Sequence, residues 1–126
     1  MELRWDRGSP TVRWFADGRE VVKEHPRPVR SAAFVPDPPS VVIVEEPLNG
    51  GVSDEPVANA VVYDLDGAER VRLEPPRAPR GRMHGGFDQC FHDSQGVAAV
   101  YLMAGELTWA YADLRTGELG ALAPFR

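Results

Sequence analysis

Trp14-Phe15-Ala16-Asp17-Gly18-Arg19-Glu20 and Tyr63-Asp64-Leu65-Asp66-Gly67-Ala68-Glu69 present the same features in the same order: an aromatic residue, an Asp-Gly turn, and a short continuation that ends at Pro26 or Pro75. Glycine supplies the positive φ of a tight hairpin and Asp favours the turn beside it, so each stretch predicts two antiparallel strands. A third version, Tyr111-Ala112-Asp113-Leu114 with a slightly longer turn at Thr116-Gly117, reaches Pro124. Gly18, Gly67 and Gly117 stand 49 and 50 residues apart. Upstream of the second and third turns the likeness continues, since Phe34 is followed by Val41–Val44 as Phe91 is followed by Val97–Tyr101.

The segments between turns have strand character. Arg70-Val71-Arg72-Leu73-Glu74 alternates polar and apolar residues, the pattern of a strand with one face in water. Val41-Val42-Ile43-Val44 is continuous and β-branched, as expected of a strand covered on both faces. No window of eleven or more residues carries a 3.6-residue apolar period, and twelve prolines and twelve glycines, falling every few residues, would break a long helix. The expectation is one all-β domain over 1–126, an antiparallel meander of about 8–10 short strands. It divides into an N-terminal half unit (11–26) and two blade-like four-stranded units (31–75 and 87–124). Unit one has strands near 31–35, 40–45, 58–65 and 69–74, and unit two near 87–92, 97–104, 106–114 and 118–123. Four strands every 45–50 residues is the period of a propeller blade. Two and a half blades do not close a ring, so the sheets are expected to pack as a sandwich, an open barrel or propeller-like sheets, or copies to assemble.

Composition narrows the function classes. The chain has 126 residues, 43% of them hydrophobic and 26% charged, which is globular usage. A net charge of −5 argues against a general nucleic-acid or membrane-surface binder. The longest apolar run, Val97 to Ala104, is far too short for a spanning helix. The charged opening Glu2-Leu3-Arg4-Trp5-Asp6-Arg7 is not that of a secretory signal, and the single cysteine, Cys90, forms no internal disulfide. The expected location is the cytoplasm.

Three places differ between the two units and are where function could have been added. Unit two crosses from its second to its third strand with Ala104-Gly105, whereas unit one spends Glu45 to Val57 there. That loop carries Glu45, Glu46, Asp54 and Glu55, which suit a basic partner or a hard cation. The second place is His84-Gly85-Gly86-Phe87-Asp88-Gln89-Cys90-Phe91-His92-Asp93. In a regular strand Asp88, Cys90 and His92 share one face, with His84 or Asp93 near. A carboxylate, a thiolate and an imidazole make zinc ligands, or a cysteine nucleophile with its base and orienting acid. The third is Arg70, Arg72, Arg77, Arg80 and Arg82, which with Glu74 give residues 70–82 a net +4. Such a basic arm suits phosphates or an acidic protein surface, and no aromatic lies between the arginines to stack a base. Trp5, Trp14 and Trp109 with Tyr63 and Tyr111 are expected to fill the core or an interface, and Trp109 and Tyr111 share a strand face with Leu107.

The leading expectation is a small protein-binding module, of the kind that serves as an inhibitor, immunity protein or antitoxin, with no cofactor. The competing expectations are a zinc-binding or cysteine-dependent enzyme or sensor at Asp88, Cys90 and His92, and a self-assembling subunit that forms homo-oligomers.

Overall fold

The turns form as their residues dictate. Asp17 and Gly18 both take positive φ, 50° and 74°, the pairing that a two-residue hairpin requires. They join β1 (Thr11–Ala16) to β2 (Arg19–Glu24), paired from Thr11↔Glu24 to Ala16↔Arg19. A computed structural model describes residues 2–47, 53–77 and 81–125 of the chain.

Two four-stranded sheets follow the hairpin. The first is a meander of β3 (Val29–Val35), β4 (Ser40–Glu45), β5 (Ala60–Asp64) and β6 (Glu69–Arg72). The second is a meander of β7 (His84–Asp93), β8 (Gly96–Met103), β9 (Glu106–Ala112) and the two-residue β10 (Ala123–Pro124). Every pairing is antiparallel, and none of the three sheets closes on itself. No last strand hydrogen-bonds back to a first, so there is no closed barrel among the described residues. The sheets stack face to face, as in a sandwich.

The first four-stranded sheet is the middle layer. Val41, Ile43, Val61 and Tyr63 point to one side and pack with Val12 and Trp14 of the hairpin. Val42, Val44, Ala60 and Val62 point to the other and pack with Phe87, Cys90, Val97, Ala99 and Tyr101 of the second sheet. The unbroken Val41–Val44 run is thus explained: alternate side chains serve two different cores, and all four are at most 1% exposed. The two larger sheets approach each other along their first strands, β3 and β7.

Strand β7 departs from regular pairing. Phe87 pairs with Tyr101 and Gln89 with Val100, so Asp88 is an extra residue in a bulge. The shift puts Phe87 and Cys90 on the same inward face, where alternation would have put them on opposite ones. A second irregularity lies between His84 and Gly86. Gly86 has φ 85°, and a Cβ there would come within 2.9 Å of Asn59 Oδ1, so this turn of the strand admits only glycine without displacement.

Candidate functional site

The bulge decides the fate of the Asp88, Cys90 and His92 constellation. Asp88 does not face Cys90; its carboxylate accepts hydrogen bonds from Arg30 Nη2 at 2.6 Å and Nε at 3.1 Å. Arg30 Nη1 also donates to Glu46 Oε2 at 3.1 Å. Burial opposes the Arg30 charge, but the Asp88 hydrogen bond and charge, followed by those of Glu46, hold its pKa above the ordinary value. Cys90 is 4% exposed inside the core between the two larger sheets, and burial pushes its thiol up to about 12. His92 shares the Cys90 face by register but sits exposed at the strand end. The expected convergence of the three is therefore not what the bulged strand provides. Among the described residues, no three His, Cys, Asp or Glu side chains gather as a metal site.

His84 also turns inward. It is 4% exposed, and its Nδ1 lies 2.7 Å from the Tyr101 hydroxyl. The same hydroxyl accepts the Val57 N–H at 3.2 Å, leaving its own proton for the imidazole. This pair ties the described end of the long loop to the second sheet, an arrangement helped by the Ser53–His84 bridge.

The acidic loop divides into two kinds of residue. Glu45 is not a surface carboxylate: it is 7% exposed, and its Oε2 accepts from or pairs with His25 Nδ1 at 2.8 Å. His25 Nε2 in turn lies 3.3 Å from the Tyr63 hydroxyl. Glu45 is the last residue of β4, so strand alternation turns its side chain to the hairpin side, against the end of β2. Glu46 is occupied by Arg30. Asp54 and Glu55 are exposed, and Asn49-Gly50-Gly51 lies outside the described residues. An open cleft of about 470 Å³ lies between residues 26–27, 45–47 and 53–59, with Arg27 and Glu45 on its walls.

The arginine arm is likewise partly neutralised. Arg70 Nε donates to Asp64 Oδ1 at 2.6 Å, across the β5–β6 turn. Arg72 lies 3.8 Å from Glu69 and donates to the Ala58 carbonyl at 3.4 Å. Arg77 and Arg82 are exposed, and Arg80 lies outside the described residues.

Asn59, His25 and Arg30 carry contacts that sequence reasoning missed. Asn59 Nδ2 donates to the Glu45 carbonyl at 2.7 Å and the Phe87 carbonyl at 2.9 Å, and its Oδ1 accepts the Phe87 N–H at 2.7 Å. One buried amide thus satisfies the backbone that the bulge frees and stitches the two larger sheets together. No local pattern marks it, because Asn59 and Phe87 are 28 residues apart.

The remaining surface feature is the outward face of the second four-stranded sheet. Register puts Phe91 beside Ala98, Val100 beside Trp109, and Leu102 beside Leu107, all on the side away from the middle layer. Phe91 and Phe125 have ring centroids 6.3 Å apart, and Trp109 and Tyr111 are edge to face at 5.0 Å. Trp109 and Tyr111 are only partly buried, outside both core clusters. The Tyr111 hydroxyl donates to Asp93 Oδ2 at 2.9 Å at the rim. Hydrogen bonds from Gln95 N–H and Tyr111 hold the Asp93 carboxyl below its ordinary range. Among the described residues, no other sheet covers this face.

No protein-family model, curated protein or solved structure matches this chain.

Proposed function

We propose that this chain is a protein-binding module and that its docking surface is the outward face of the second four-stranded sheet. The observation that carries the reading is the chemistry of that face. Phe91, Leu102, Leu107, Trp109, Tyr111 and Phe125 lie on it with no sheet over them among the described residues, and Asp93, at the end of β7, is the charged side chain that alternates onto it. Partly buried aromatic and aliphatic side chains with one exposed phenyl ring, Phe91 at 37%, have the composition of an interface core, and polar rim residues such as Asp93 and Gln95 complete the pattern. The edge-to-face setting of Trp109 and Tyr111 breaks the surface into ridges, which suits interdigitating protein side chains better than a planar ligand. Asp54, Glu55, Arg77 and Arg82 stand free of this face as exposed charges and would steer encounter more than hold the complex.

A photo-cross-linking amino acid at position 91, introduced in the producing cell, tests this. The expected result is a discrete protein adduct from position 91 and none from the same substitution at Asp54. An adduct from position 54 alone would move docking to the acidic loop and overturn the assignment.

A further inference from the structure

We propose that the open cleft beside the end of β4 binds a small apolar molecule carrying one carboxylate, with Arg27 as the group that receives the charge. The site is separate from the docking face above, and neither reading depends on the other.

Every polar side chain in the cleft wall but one is already engaged. Asn59 bonds the backbone of Glu45 and Phe87. Ser53 Oγ accepts the Glu55 N–H at 3.1 Å. Glu45 is paired with His25, and Glu46 with Arg30. Arg27 is the charged residue of this wall that makes no ion pair among the described residues. Its Nη2 donates to the Pro47 carbonyl at 3.3 Å, and its Nε is closed to solvent with no hydrogen-bond partner among them. Buried donors in folded proteins nearly always have an acceptor, so this one needs a reason. Leu48-Asn49-Gly50-Gly51-Val52, which lie outside the described residues, include no acid that could act as its counter-ion.

The rest of the wall sets the body of the ligand. Pro26, Pro47, Pro56, Val57 and Ala58 make it largely apolar and bring no side-chain donor or acceptor. A volume of about 470 Å³ falls in the range of small-molecule sites, which are mostly apolar with a few polar groups that fix orientation. The walls are held from behind. Glu45 N–H donates to the Asn59 carbonyl and Glu46 N–H to the Pro28 carbonyl, both at 2.8 Å. Val57 N–H reaches the Tyr101 hydroxyl of the second four-stranded sheet at 3.2 Å. A wall fixed in this way lowers the ordering cost of binding.

A carboxylate suits Arg27 better than a phosphate does. Its two oxygens match two guanidinium donors side by side, and one negative charge balances one cation. A dianion would also meet Glu45 and Glu46 in the same wall. A neutral acceptor would leave the Arg27 charge without a counterpart.

The test is an amide NMR titration of the full chain with phenylacetate, octanoate and phenylacetamide, each to about 10 mM, which covers the weak affinities of fragment-sized ligands. The two carboxylates are expected to give saturable shifts at Val57, Ala58 and Asn59 and at the Arg27 Nε–H. Phenylacetamide, of the same size without the charge, should bind at least about tenfold more weakly. Arg27→Gln should weaken both carboxylates by about the same factor while amides away from the cleft keep their positions. Should Arg27→Gln fail to fold, phenylacetate against phenylacetamide on the wild type decides alone. Absence of saturable shifts at 57–59 with both carboxylates overturns the site. Shifts confined to β8 and β9 also overturn it, because they put the apolar ligand on the outward face. Equal affinity for phenylacetate and phenylacetamide, or undiminished binding by folded Arg27→Gln, overturns the part given to Arg27 and with it the ligand class.

Discussion

Cys90 illustrates how a single side chain changes meaning once its surroundings are known. In sequence it stands two residues from both Asp88 and His92, a spacing that a regular strand would turn into one face. In the folded chain a single extra residue in β7 sends Asp88 to Arg30 and leaves the thiol 4% exposed among apolar side chains. Burial penalises the thiolate, so the folded pKa, about 12, lies above the ordinary value near 8.5. The sign for stability follows. Below about pH 8.5 the thiol is protonated in both states; as pH rises from there toward about 12 only the unfolded chain loses the proton, and stability falls over that window. Native protein at pH 8 is therefore expected to resist iodoacetamide and to react fully once denatured, and Cys90→Ala should remove this thiol's share of the alkaline loss. Rapid labelling of the native protein would show an accessible, activated thiol and restore the nucleophile. The residue-scale features hidden in the sequence share one property: His25, Arg30 and Asn59 act on partners 14 to 58 residues away, and no local spacing encodes such distances.

The elements were far more legible. Turn chemistry and β-branched runs locate each strand of the first four-stranded sheet within about two residues, because those signals are local. The hairpin is legible for the same reason, down to the residue pair with positive φ. What was not legible is which face each strand buries. Trp109 and Tyr111 read as core or interface, and among the described residues they line a face with no sheet over it, since alternation sorts side chains into two faces without saying which is covered. At this scale the attachment of the hairpin is testable. Trp14 is 1% exposed, its indole N–H donates to the Leu65 carbonyl at 2.7 Å, and its ring lies 6.3 Å from that of Tyr63. Trp14→Ala removes most of the side chain that fixes a two-stranded element to the middle sheet, and about 3–5 kcal/mol of stability should go with it. Urea denaturation measures the loss. A change below about 1 kcal/mol would mean that the hairpin is held by something other than this side chain.

At the scale of the whole molecule, the decisive fact is that, among the described residues, the middle sheet is the one with layers packed on both faces. Its inner strands β4 and β5 are also paired on both edges, so their amides open only when both cores come apart. Hydrogen exchange should therefore rank the layers, with Val42, Ile43 and Val62 last and the short edge strands β6 and β10 early. Strands β8 and β9 should fall between, because their outward face is shielded only by their own aromatic side chains. Docking onto that face changes the ranking in a specific way. Adding the partner captured at position 91 should slow exchange in β8 and β9, while β4 and β5, already enclosed, should not respond. If β8 and β9 exchange as slowly as β4 and β5 in the dilute monomer, the outward aromatic layer is a self-sufficient cover, and the physical reason for expecting a partner there disappears.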